Sequence, residues 1–108
     1  MTKEKHYNEC ILQLVGNAWR KKDDKYEYMF ELFPYEGDNK EKDLYGLKIN
    51  DTTSDNKAYT FYKVVYENGS WFLTFLKNTY KVLHIYNPIE NQIMKLEDSD
   101  GKIISYSR

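Results

Sequence analysis

Two histidines and one cysteine are the side chains best able to do chemistry near neutral pH, and in this chain of 108 residues they fall at His6, Cys10 and His84. Acyl or group transfer needs a nucleophile with a base in reach, or two carboxylates held in a cleft. His84 lies in the middle of the strand-like run "YKVLHIYN" and is the best single base. Its simplest reading is a wall or lumen histidine hydrogen-bonded to a tyrosine. His6 falls on the polar side or flank of an N-terminal helix. Cys10 falls on the apolar side of that helix, where a cysteine acts as a small hydrophobe. A single cysteine excludes an intrachain disulfide, and without a second cysteine or a nearby histidine no zinc site forms. The acidic pairs Asp23-Asp24 and "DSDG" (98–101) invite a calcium reading. A calcium loop closes with a bidentate glutamate at its twelfth position, which counted from Asp98 lies past Arg108. Turn formation accounts for both pairs. No glycine-rich phosphate loop follows any strand. Asn50-Asp51-Thr52 and Asn68-Gly69-Ser70 match glycosylation sequons, which matter only on a secretory route. The expectation is a protein without catalytic residues, metal or cofactor.

Sixteen basic and seventeen acidic residues give a net charge of -1, too little positive charge for a general nucleic-acid binder. Residues 26 to 58 hold eight acidic and four basic groups, a balance of -4 that would suit a basic partner, although loops in water explain it. The N-terminus "MTKEKHYNEC" lacks the apolar core of a signal peptide, and no run approaches the roughly twenty apolar residues of a membrane span. A cytoplasmic protein is expected. The unusual feature is eleven tyrosines with five phenylalanines and two tryptophans, against two prolines. Aromatic residues favour strands.

One domain is expected over residues 1 to 108. Tyr7, Cys10, Ile11, Leu14 and Val15 follow the spacing of one helix face, with Thr2 as cap and Gly16 as terminator. This predicts a helix over about residues 3 to 15. From about residue 17 to 107 the pattern is strand and turn: "NAWRKK", "YEYMFELFPY", "LYGLKI", "AYTFYKVVYE", "WFLTFL", "YKVLHIYN", "QIMKLE" and "KIISYS". Asn68-Gly69 between two apolar runs is a strong hairpin signal, and Pro34 must end a strand, bulge or lie on an edge. Eight short strands joined by short links make an antiparallel meander, and closing it into an up-and-down barrel removes its exposed edges. In the second strand Tyr26, Tyr28, Phe30 and Leu32 alternate to one side and are expected inward.

"LVGNAWRK" (14–21) is similar to the glycine-then-tryptophan opening of small bacterial lipocalin-like domains of the calycin kind, with one residue more between Gly16 and Trp19 than is usual there. The closing stretch "TYKVLHIYNPIENQIMKLEDSDGKIISYSR" follows the order of strands, Asp-Gly turn and terminal Tyr-x-Arg in that family. The resemblance implies an eight-stranded barrel with an apolar interior that binds a hydrophobic small molecule.

The rings carry the remaining question. A lumen lined by Tyr26, Tyr28, Phe30, Phe61, Trp71, Phe75, Tyr80 and His84 could hold a flat apolar ligand, or these rings fill the space themselves. Tyr35, Tyr59, Tyr62, Tyr66 and Tyr86 would then form an outer patch for a partner protein, as tyrosines do at interfaces. Two roles follow: a lipocalin-like binder of a hydrophobic small molecule, or a proteinaceous inhibitor of the toxin-immunity or phage anti-defence kind.

Overall fold

The computed structural model describes residues 13–15, 18–35, 44–86 and 92–107. Eight strands form one antiparallel sheet: β1 (Arg20–Lys21), β2 (Tyr26–Pro34), β3 (Tyr45–Asp51), β4 (Lys57–Glu67), β5 (Ser70–Phe75), β6 (Asn78–Tyr86), β7 (Ile93–Glu97) and β8 (Ile103–Ser107). The order β1-β8-β7-β6-β5-β4-β3-β2 is the expected meander, with the short first strand laid against the last. The sheet is not a closed ladder. Its two ends meet at a single antiparallel bridge, where Trp19 and Tyr28 exchange N–H···O bonds of 2.9 Å each. The expected helix over about 3 to 15 lies outside the described residues except for its last three. Among those, Leu14 is buried and Val15 bridges Phe30.

Turn chemistry sets the registers. Asn68 and Gly69 both take positive φ, 51° and 80°, the left-handed pair that matches the twist of flanking strands. Leu76 and Lys77 do the same at 51° and 68° between Phe75 and Asn78. Leu76 belongs to the turn although leucine is a poor residue for that conformation, and β5 therefore ends one residue earlier than its apolar run suggests. Asn78 Nδ2 donates to the Leu76 carbonyl at 3.3 Å and supports the turn. Asp51 organises the β3–β4 connection. Its Oδ1 accepts from the Thr53 N–H and hydroxyl, which holds its carboxyl down to about 2. Lys25 Nζ lies 3.5 Å from the other oxygen, and Thr52 donates to the Lys25 carbonyl, so this connection is tied to the β1–β2 turn.

The concave side is packed by Leu14, Trp19, Tyr28, Phe30, Leu47, Ile49, Tyr62, Val64, Leu73, Phe75, Met94, Leu96 and Tyr106. Trp19 is fully buried and its Nε1 donates to the Leu14 carbonyl at 2.9 Å. Gln92 Nε2 donates to the Ala18 carbonyl, also at 2.9 Å. Two bulges break the strict alternation. In β2 the register slips between Phe30 and Pro34, leaving Glu31, Leu32 and Phe33 opposite Gly46. Leu32, expected inward, is therefore 51% exposed. In β6 the slip falls at Leu83, between the pairs Val82–Leu96 and His84–Lys95.

Candidate functional site

The eight side chains expected to line a lumen divide into four groups. Tyr28, Phe30 and Phe75 are buried among one another, with Tyr62 and Tyr106 added. Phe30 meets Tyr62 and Phe75 edge-on at 5.0 and 5.6 Å, and Tyr28 meets Phe75 and Tyr106 at 5.9 Å. Trp71 and Tyr80 face the same side and are half-buried, Tyr80 packing on Phe75 at 5.3 Å. Tyr26 sits at the strand start, partly exposed beneath Lys25 Nζ. Burial pushes the Tyr28 hydroxyl up to about 12, and the Tyr80 and Tyr106 hydroxyls upward as well. Edge-to-face contact at these distances leaves no slot between the rings for a flat ligand.

Two lumen candidates face the other way. Phe61 lies between the inward Thr60 and Tyr62 and projects from the convex side. His84 would have pointed inward with Tyr80 and Val82, but the extra residue Leu83 reverses the parity, so Ile85 turns in and His84 turns out. His84 is exposed and stacks on Tyr86 at 6.4 Å. One surface candidate is also corrected. Tyr62 is fully buried and its hydroxyl donates 2.7 Å to the Glu31 carbonyl, fixing the β2 bulge from below. Tyr66 shares the inward parity, opposite Trp71, and is half-buried. Tyr86 is exposed on β6, beside His84 and not with the other tyrosines.

What remains forms a continuous convex patch on β2, β3 and β4. Tyr35 lies over Tyr59 and Phe61, with ring centres 5.4 and 5.1 Å apart. Beside them Gly46 leaves the sheet bare. A Cβ there would come within 2.8 Å of both Tyr59 Oη and Glu31 Oε1, so only glycine lets the Tyr59 ring lie down on the strand. Met29, Lys48, Asn50, Lys57, Ala58 and Tyr59 line an adjoining cleft of about 340 Å³. Lys48 Nζ lies 3.6 Å from Glu31, and Asn50 Nδ2 donates to Met29 Sδ at 3.6 Å. At the end of this patch the bulge presents Phe33, 72% exposed, with Leu32 next to it. Sequence reading named Tyr35 and Tyr59, placed Phe61 in the lumen, and missed Phe33 and Gly46. A glycine inside a strand, directly opposite an aromatic, was the available signal.

Three further clefts of about 300 to 410 Å³ are lined wholly by described residues at strand ends and turns. None of the four is lined by Phe30, Tyr62, Phe75 or Tyr106. Among the described residues, two buried polar atoms lack a hydrogen-bond partner, Trp71 Nε1 and Gln92 Oε1. Also among the described residues, no three histidine, cysteine, aspartate or glutamate side chains are grouped to hold a metal ion, and no helix is long and apolar enough to cross a membrane. No family model matches the chain, and no curated protein or solved structure matches it either.

Proposed function

We propose that this protein works without catalysis, as a binding protein whose convex β2–β4 face takes a partner protein, in the manner of an inhibitor or immunity protein. In this reading the meander acts as a closed up-and-down barrel, with the Trp19–Tyr28 bridge as its seam. The observation that carries the reading is the division of the aromatic residues. One set fills the concave side ring against ring, and a second set lies together outside, next to a bulge that holds Phe33 in solvent. A monomer rarely maintains such a patch for its own stability. Rigid aromatic area is what interfaces use for affinity at low entropic cost.

A second reading, the hydrophobic-ligand barrel implied by the lipocalin-like resemblance, has one observation in its favour. The buried, unpartnered indole N–H of Trp71 belongs to a residue that borders a cleft of about 410 Å³ with Tyr66, Ser70 and Lys81. A ligand acceptor there would remove a desolvation cost of about 1–3 kcal/mol. The filled interior weighs against it.

The test is photo-crosslinking in the source cells, with a benzophenone amino acid placed at Tyr59, and at Ser105 on the exposed side of β8 as control. One protein species crosslinked from position 59 and absent from position 105 supports the reading. Equal labelling from both positions, or none from 59, contradicts it.

A further inference from the structure

Two of the chain's three methionines, Met29 and Met94, lie among the described residues, and they stand on opposite sides of the sheet. Met94 points inward from β7 and is fully buried in the concave packing. Met29 lies on β2 between the inward Tyr28 and Phe30, is 37% exposed, and helps to line the cleft of about 340 Å³. Strand pairing sets Met29, Lys48 and Tyr59 in one row across β2, β3 and β4, and Glu27, Asn50 and Lys57 in the next. Asn50 is thus diagonal to Met29, and its Nδ2 donates to Met29 Sδ at 3.6 Å. A thioether is a weak acceptor, so this amide is held by a poor partner. The contact also makes the sulfur's two lone pairs unequal. The Asn50 N–H occupies one, and an oxidant arriving from the cleft finds the other.

We infer that Met29 is an oxidation site on the convex face: peroxide converts its thioether to the sulfoxide, mainly as one epimer, while Met94 stays reduced. A further effect, weaker binding at this face, rests on the partner-protein reading above. The step is a two-electron oxygen transfer. A sulfur lone pair attacks one peroxide oxygen, the S–O bond forms as the O–O bond breaks, and a proton passes to the departing oxygen. The sulfur is oxidised and hydrogen peroxide is reduced to water, and methionine sulfoxide reductases, one for each epimer, reverse the change. The product is a stronger acceptor than the sulfur, in a cleft whose lining also carries the donors of Asn50, Lys48 and Lys57. It replaces a flexible apolar side chain beside Tyr59 with a polar one, the change that disrupts methionine contacts at interfaces. Met94 is out of reach until the core opens.

The experiment treats the folded full chain with dilute hydrogen peroxide and reads each methionine by peptide mapping. Met29 should gain oxygen at least about tenfold faster than Met94, whose exposure requires opening of the core. In concentrated urea the two should react alike. The digested product is then given each epimer-specific reductase separately. One should restore most of the Met29 peptide and the other little. Asn50→Leu removes the donor at similar volume and should make the two yields nearly equal, with a circular dichroism spectrum matching the parent's. For the effect on binding, Met29→Gln supplies a polar group in place of the sulfoxide. It should lose most of the species crosslinked from position 59, and Met29→Leu, which keeps the surface apolar, should lose less. Comparable oxidation of Met29 and Met94 in the folded chain, equal epimers from the parent, or an epimer bias that survives Asn50→Leu would overturn the inference. Equal crosslinking by the parent, Met29→Gln and Met29→Leu would overturn the effect on binding. Absence of any crosslinked protein from the parent would remove the partner-protein reading itself, while the oxidation site stands or falls on the peptide map.

Discussion

The same residue type serves two ends in this chain, a few ångströms apart across one sheet. On the concave side Tyr28, Phe30, Tyr62, Phe75 and Tyr106 meet at interplanar angles of 64° to 90°, hydrogen edges against ring faces. On the convex side Tyr35 meets Tyr59 and Phe61 at 31° and 52°, with ring centres 5.4 and 5.1 Å apart, and Tyr59 stays half in water. Tyr62 and Phe61 are adjacent in sequence and belong to opposite sides. Strand alternation alone separates them. An aromatic count therefore says little about whether a barrel is hollow. The side on which each ring lies, and the bulges that change that side, decide it.

The largest expected separation between the two regions is in stability. Phe30→Ala should cost about 3–5 kcal/mol in urea unfolding, because it opens a cavity under Tyr62 and Phe75, whereas Phe61→Ala should cost a small fraction of that. Equal losses would erase the distinction between the two sides.

Titration offers a second contrast. The hydroxyls of buried Tyr28 and Tyr106 and of half-buried Tyr80 have pKa values raised above the usual 10.0, so their neutral form is favoured by folding. Their contribution is complete below pH 10 and is lost as pH rises toward about 12, the Tyr28 value. Tyrosinate absorbance should show these three rings ionising late and together with unfolding. Early, reversible ionisation of all eleven tyrosines would mean that the concave side is wet.

A smaller effect comes from the β5–β6 turn, which belongs to neither aromatic set. Replacing Leu76-Lys77 by Asn-Gly puts compatible residues at φ 51° and 68° and should stabilise by about 1 kcal/mol. Thermal unfolding would show it as a raised Tm, with the convex β2–β4 face unaffected.

The smallest probes the link between the two sides. Tyr62→Phe removes the 2.7 Å bond to the Glu31 carbonyl and should cost about 1 kcal/mol. Because that bond holds the bulge, amide exchange should quicken at Leu32 and Phe33 while Tyr28 and Met94 stay protected. Unchanged exchange at the bulge would mean that Phe33 is positioned by something else.

Most of the sheet could be read from the sequence. Eight strands, their meander and the Asn68-Gly69 hairpin follow from alternation and turn residues, and the buried Tyr28, Phe30 and Phe75 follow from the same period of two. Where the reading failed, an insertion shifted the period. Leu83 reversed His84, and the three-residue bulge after Phe30 exposed Leu32. Bulges depend on cross-strand register, which a single strand's pattern does not contain. Tyr62 and Phe61 were exchanged for a different reason. In "AYTFYKVVY" both parities carry rings and β-branched residues, so the pattern names two faces without ranking them. The turn at Leu76-Lys77 carries no glycine, asparagine or proline, and its chemistry gives no warning.

The central claim is that the concave side is filled and the convex β2–β4 face is where binding occurs. Native mass spectrometry of the protein, recovered gently from its source cells, tests it most directly. The account predicts the bare polypeptide mass, or a complex with one protein at fixed stoichiometry that Tyr59→Ser with Phe61→Ser abolishes. A retained small molecule of a few hundred daltons, lost only on denaturation and indifferent to those two substitutions, would contradict it.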